Sequence, residues 1–168
     1  NWTSASASTQ QTGIEMTNRR TFLAGLAGLA GSAFPRATWA DAGGPAYLAA
    51  AKAGEAYFLH GLSEAGESLF ALQLPSRGHA AAAHPTRPLA VAFARRPGTF
   101  AVVIDCATGV ESARLIPPDG RQFNGHGVFS ADGSILYTSE VVAETSQGRI
   151  GLWDATRFVR IGEWASGG

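Results

Sequence analysis

Two Gly-His pairs, Gly78-His79 and Gly125-His126, stand 47 residues apart in this chain, and arginines gather around them. Arg77 immediately precedes the first pair, Arg121 lies just upstream of the second, and the doublet Arg95-Arg96 follows further along. A guanidinium grips a carboxylate or phosphate through two parallel N–H···O bonds, and imidazole nitrogens ligate iron or copper. Brought together, these side chains would recognise an anion, the propionates of a haem-like group, or a metal ion. Glu140, at the end of a strand-like run, is the acidic candidate for the same place. An architectural use competes with each: arginines cap turns, and histidines satisfy buried backbone. A histidine and an aspartate, such as His126 with Asp154, can also share a buried hydrogen-bond network that locks a loop in place. His79, His126, Asp105 and Asp154 would then need no ligand.

Other chemistry leaves no trace. The chain has no His-Glu-x-x-His helix, no Walker loop and no Gly-x-Ser-x-Gly elbow, and neither Asp41 nor Asp132 has a partner carboxylate at a hydrolase-like interval. Nothing argues for an enzyme, and no cofactor is required. With 13 basic and 13 acidic residues the net charge is zero, so no electrostatic reason exists to expect nucleic acid as partner. The single cysteine, Cys106, rules out an intramolecular disulfide and a cysteine-rich zinc site, and is expected as a small buried residue at a strand end.

Such residues must be positioned by elements, and the elements repeat. The stretch from Arg77 can be laid on the stretch from Asn124. Each Gly-His pair leads into a small or apolar strand, then a turn, His84-Pro85-Thr86-Arg87-Pro88 or Ser130-Ala131-Asp132-Gly133. A second strand follows at 89–94 or 135–139, a third at 100–105 or 149–154, and a fourth at 111–116 or 159–163. Four short strands per unit of about 45 residues is the spacing of a β-propeller blade. Upstream, "EAYFLHGL" and "SLFALQLPSR" read as the last two strands of an incomplete earlier unit, with a hairpin turn at 63–67. At the equivalent ends of such blades, Arg77, His79, Arg95, Arg96, Arg121, His126 and Glu140 would converge on the axis.

The N-terminal part reads differently. "NWTSASASTQQTGIE" is polar and aperiodic, and the only methionine, Met16, stands just before a targeting pattern. Residues 1–15 are expected as an upstream or disordered extension. Arg19-Arg20, followed by Phe22 and Leu23, matches the twin-arginine pattern, and a mild apolar run covers 23–34. Small residues at Ala40 and Ala42 supply the cleavage site. The run is shorter than the roughly 20 residues of a permanent membrane span, so none is expected after cleavage. The expected organisation is a signal peptide at 16–42, a linker at 43–53 and a partial propeller at 54–168. The twin-arginine translocase becomes a partner in export, and the periplasm the place of work.

The stretches "LPSRGHAAAAHP", "ARRPG" and "GRQFNGHGVFSADGSILYTSE", with "GRIGLWD" after them, resemble a bacterial family of exported propellers known as domain of unknown function 1513. WD-repeat and YVTN-like propellers are more distant likenesses. The family generally follows its glutamate with asparagine, where this chain has Glu140-Val141, and its sequences continue well past the equivalent of Gly168. The resemblance implies an all-β fold: about two and a half four-stranded antiparallel blades of a seven-bladed β-propeller, preceded by a helical signal segment. Genes of the family neighbour iron-uptake components, including imelysin-like and haem peroxidase-like proteins. That implies a non-enzymatic binding or scaffold module associated with iron acquisition, with periplasmic iron-uptake proteins as partners. The alternative it leaves is an oxidoreductase-like propeller holding a metal or haem-like cofactor at its axis.

Overall fold

The computed structural model describes residues 36–167. Most of the expected signal segment, including its helix and Arg19, Arg20, Phe22 and Leu23, lies outside those residues. Within them the chain is all-β, with eleven strands in three antiparallel sheets. The first sheet holds β1 (Tyr47–Ala53), β2 (Ala56–Leu62) and β3 (Ser68–Leu74), paired in that order. The second holds β4 (Gly78–Ala83), β5 (Leu89–Ala94), β6 (Ala101–Asp105) and β7 (Val110–Leu115). The third holds β8 (Arg121–Phe129), β9 (Ile135–Val142), β10 (Gly148–Asp154) and β11 (Val159–Ala165). Each sheet is an up-and-down meander closed by short turns, and the sheets stack face to face as blades.

Side chains of a strand alternate between its two faces, so a strand between two packed sheets must be apolar at every position. That is why "LAVAFA" is buried throughout. Its Ala90, Ala92 and Ala94 face the first blade, joining Leu59, Leu74, Val102 and Ile104 in one core. Its Val91 and Phe93 face the third, joining Val103, Leu115, Phe123, Leu136 and Trp153 in another. At 25 cal/mol per Å², burial of one such large side chain stabilises by about 1.5–3 kcal/mol, so these two interfaces carry the fold.

Turn chemistry sets the strand ends. Asp105 Oδ1 accepts the N–H groups of Ala107 and Thr108 (2.9 and 3.2 Å), and Asp154 Oδ1 accepts those of Thr156 and Arg157 (2.8 and 2.9 Å). Asp132 does the same for Ser134 N–H at 3.0 Å. These aspartates substitute side-chain oxygen for a missing ladder bond, which is their habitual use in turns.

The repeat-based strands lie where the self-comparison puts them, with boundaries moved by three residues at most. The expected linker at 43–53 differs: its second half is β1. "YLAAAKA" carries four alanines, whose small side chains leave almost no alternation of hydropathy to read. Residues 38–44 form a compact turn, in which the Trp39 indole N–H donates to the His84 carbonyl (2.9 Å) and Ala42 is buried against the first blade. Ala40 and Ala42 therefore sit in that turn.

Candidate functional site

The inner strands β4 and β8 pack along each other, and each is irregular at its histidine. The register of β4 against β5 shifts between Gly78 and Ala80, and that of β8 against β9 between Phe123 and Gly127. A bulge re-aims the side chain it carries, and here it turns both imidazoles out of the sheets. The His79 and His126 rings meet edge to face, centroids 4.8 Å apart. Both residues are exposed. Gly125 makes the meeting possible: its φ is +87°, and a Cβ there would stand 2.6 Å from His79 Cδ2. Only glycine meets both conditions.

The turn between β5 and β6 carries Arg95 and Arg96 to the same end. Arg95 N–H donates to the Arg77 carbonyl (2.9 Å), joining this turn to the entry of β4. Gly98 then exchanges two backbone bonds with Phe123 of the next blade, at 2.8 and 3.2 Å. "ARRPG" is thus an inter-blade clasp, which explains why a generic repeat would not carry it. His79, Arg95, Arg96 and Asn124 line a cavity of about 240 Å³. A second, of about 440 Å³, shares His79 and adds Arg77, Lys52 and Tyr57. No carboxylate lines either, and among the described residues Arg77, Arg95 and Arg96 form no ion pair. A concave mouth lined by three free guanidinium groups and the His79 imidazole, with His126 against it, is built to receive negative charge.

Five of the expected site residues, Arg77, His79, Arg95, Arg96 and His126, come together in this way. Arg121 and Glu140 belong to a different assembly within the third blade. Glu140 is fully buried, and its Oε1 accepts from Thr138 Oγ1 (2.6 Å) and Arg160 Nη1 (2.7 Å). Arg160 and Arg121 both donate to Glu163, at 2.8 and 2.7 Å, and Arg149 approaches it at 3.5 Å. The hydrogen bond from Arg121, with Arg160 behind it, holds the Glu163 carboxyl below its ordinary range. This chain of charges ties the outer strand to the inner one across the sheet. Trp153 joins it through its indole N–H to Thr138 Oγ1 (3.0 Å) rather than through a histidine. The buried pairing of His126 with Asp154, or of His79 with Asp105, does not occur: the histidines are exposed and the aspartates hold turns.

The buried histidine is His84, only 3% exposed. Its Nδ1 accepts the N–H groups of Thr86 and Arg87 (3.2 and 3.0 Å), so Nε2 carries the proton and donates to the Gly133 carbonyl of the next blade (3.1 Å). Burial pushes its pKa below 6.5, outweighing the Gly133 bond that favours the cation. Cys106 is buried at the end of β6, as expected, and its thiol is pushed up to about 12 by burial and by Asp105.

Asn124 is the residue that sequence reasoning missed. It lines the mouth, and its Oδ1 is buried without a partner among the described residues. The signal was available: Asn124 precedes its Gly-His pair as Arg77 precedes the earlier one. Among the described residues no cluster of three or more His, Cys, Asp or Glu side chains offers a metal site. Two imidazoles alone leave a metal ion short of protein donors there.

A family model described as Protein of unknown function (DUF1513) matches residues 72–168, the second and third blades and the strand end before them. The chain belongs to that family. Solved structures place the DUF1513 chain among β-propellers. It resembles apo AztD from Citrobacter koseri at 19% identity and a TM-score of 0.50, over 70% of this chain and 31% of that one. It resembles the dihydro-heme d1 dehydrogenase NirN in complex with DHE at 17% identity and a TM-score of 0.54, over 73% of this chain and 28% of that one. The chain thus spans about a third of the length of these propellers. No curated protein matches it.

Proposed function

We propose that this protein is an exported, periplasmic propeller that binds an anionic ligand at its axial mouth, acting as a non-enzymatic binding module in iron acquisition. The observation that carries the reading is the convergence of Arg77, Arg95, Arg96 and His79 on two cavities that no carboxylate lines, with the His126 ring packed against His79. Two inter-blade devices, the Gly98–Phe123 clasp and the Gly125 approach, spend backbone geometry on holding them there. The arginines fit carboxylates, phosphates or the propionates of a porphyrin. The link to iron rests on the family resemblance, and export rests on Arg19-Arg20 and the apolar run after them.

The decisive experiment titrates the purified protein with ferric citrate, haemin and inorganic phosphate, and repeats it with Arg95→Ala/Arg96→Ala. Binding of at least one probe, lost in the double variant at unchanged Tm, supports the reading. Binding of none, or binding indifferent to the arginines, overturns it. Export is tested separately by Arg19→Lys/Arg20→Lys, which should hold the protein in the cytoplasm.

A second reading has one observation in its favour, the pair of exposed imidazoles beside arginines. An oxidoreductase-like propeller holding a haem-like group fits them, the arginines taking the propionates and an imidazole the iron. The structural likeness to NirN agrees with it. A bare metal ion fits less well, for want of a third donor. Protein isolated from periplasm with an absorbing chromophore lost in His79→Ala/His126→Ala would favour this reading over the first.

A further inference from the structure

The sequence offers Ala40 and Ala42 to signal peptidase, but the fold encloses them. Residues 38–44 close on themselves through four backbone bonds. Asp41 N–H donates to the Thr38 carbonyl (3.0 Å) and Gly43 N–H to that of Ala40 (3.0 Å), while Ala42 and Gly44 N–H share that of Trp39 (3.2 and 2.8 Å). Asp41 caps the turn: its Oδ2 accepts from Thr38 N–H at 2.6 Å and from Thr38 Oγ1 at 3.0 Å. The backbone bond, with the hydroxyl bond behind it, holds the Asp41 carboxyl below its ordinary range. The turn is also fastened to the body of the protein. Ala42, only 7% exposed, belongs to the core that Leu59, Leu74 and Ala92 form between the first and second blades, and Trp39 packs on the same core. The Trp39 indole N–H donates to the His84 carbonyl (2.9 Å), at the turn between β4 and β5.

We propose that residues 38–44 are a permanent strap of the mature protein, closed to signal peptidase, so that the chain is not cut after Ala40 or Ala42. The inference rests on the export reading and not on the anion site. A protease takes its substrate as open, extended chain, so a bond inside a hydrogen-bonded and buried segment is cut only when that segment opens. The twin-arginine route carries its cargo folded, so the strap is already closed when the peptidase meets it. The chain upstream lends no slack. Three residues, 35–37, separate the apolar run from Thr38, a reach of at most about 10 Å. A cut would also undo the fold it touches. After Ala40 it would strip away Trp39 with its bond to His84, and after Ala42 it would take Ala42 out of the core as well. His84 is the residue whose Nε2 ties the second blade to the third, so the strap braces that tie from the other side.

The test reads the N-terminus, by intact mass and N-terminal sequencing, of the full chain recovered from the periplasm and membranes of cells that express it. Every exported molecule should retain residues 38–44, whether the signal stays attached or is cut upstream of Arg36. Chains that begin at residue 41 or 43 overturn the proposal. Trp39→Ala/Asp41→Ala removes the anchor and the cap but leaves Thr38, Ala40 and Ala42 in place for the peptidase. Chains beginning at residue 41 or 43 should then appear. A variant as resistant as the wild type overturns the proposal, since the site would be refused for its sequence and not for its fold. A second measurement holds if the variant fails to fold. Purified signal peptidase is given the folded full chain and a synthetic peptide of residues 31–48, which has no blade to close on. The peptide should be cut at Ala40 or Ala42 at least about tenfold faster. Equal rates overturn the strap. Protein found in the cytoplasm alone defeats the export reading instead, and the comparison with purified peptidase still decides the strap.

Discussion

His84 should make this propeller acid-sensitive in a narrow window. In the folded state Nδ1 accepts two backbone N–H groups, and a proton there would turn both acceptances into repulsions. The folded-state pKa is lowered by burial, so below 6.5 the unfolded chain binds a proton that the folded chain refuses. The contribution to stability is therefore fully present above 6.5 and is lost as pH falls through the depressed folded value. One proton sets the ceiling on the slope, about 1.4 kcal/mol per pH unit. His84→Leu keeps the apolar packing on Phe129, whose ring lies 5.0 Å away, but leaves the Gly133 carbonyl and two N–H groups without partners. One buried acceptor and two part-buried donors amount to about 3 kcal/mol, or roughly 10 °C in Tm for a domain of this size. Thermal melts of both proteins at a series of pH values check this. The wild type should lose stability below about pH 6.5, and the variant, already weaker, should lose less over the same interval. Parallel curves would refute the assignment of the proton uptake to His84.

Three further outcomes follow from the packing. Gly125→Ala places a side chain against His79 at a positive φ, so it should cost about 1–2 kcal/mol and weaken anion binding by displacing the imidazole; melts and titrations that both match wild type would contradict the geometry. Glu140→Leu leaves Arg160 with Glu163 alone and should destabilise by about 2–3 kcal/mol while ligand affinity stays unchanged. A loss of affinity at unchanged Tm would instead return Glu140 to the mouth. Cys106, its thiol pushed up to about 12 beneath the blade surface, should resist alkylation near neutral pH and react at once in denaturant. Rapid labelling of the native protein would show that the end of β6 opens.

The architecture was legible where residues are large and turns are specific. Val91, Phe93, Val103 and Trp153 announce buried strands, and Asp105, Asp132 and Asp154 announce the turns between them. β1 was not legible, because a strand of alanines has the hydropathy of a linker and is recognised only by its partner β2.

The mouth was legible by a different route, since repeat position, and not residue type, predicts convergence. Positions just before the inner strand and just after the second strand lie at one end of every blade, whatever occupies them. That rule put Arg77, His79, Arg95, Arg96 and His126 at one end, where the structure brings them near one another, and applied more strictly it would have added Asn124. It failed for Arg121 and Glu140 because end and face are separate coordinates. Both lie at the correct end, but Glu140 shares the parity of Leu136 and Thr138, which point into the interface with the second blade. A carboxylate placed there draws Arg160, and Glu163 draws Arg121, so the third blade neutralises its own charges internally. Arg77, Arg95 and Arg96 at the mouth find no such acids among the described residues, which leaves them free to meet a ligand.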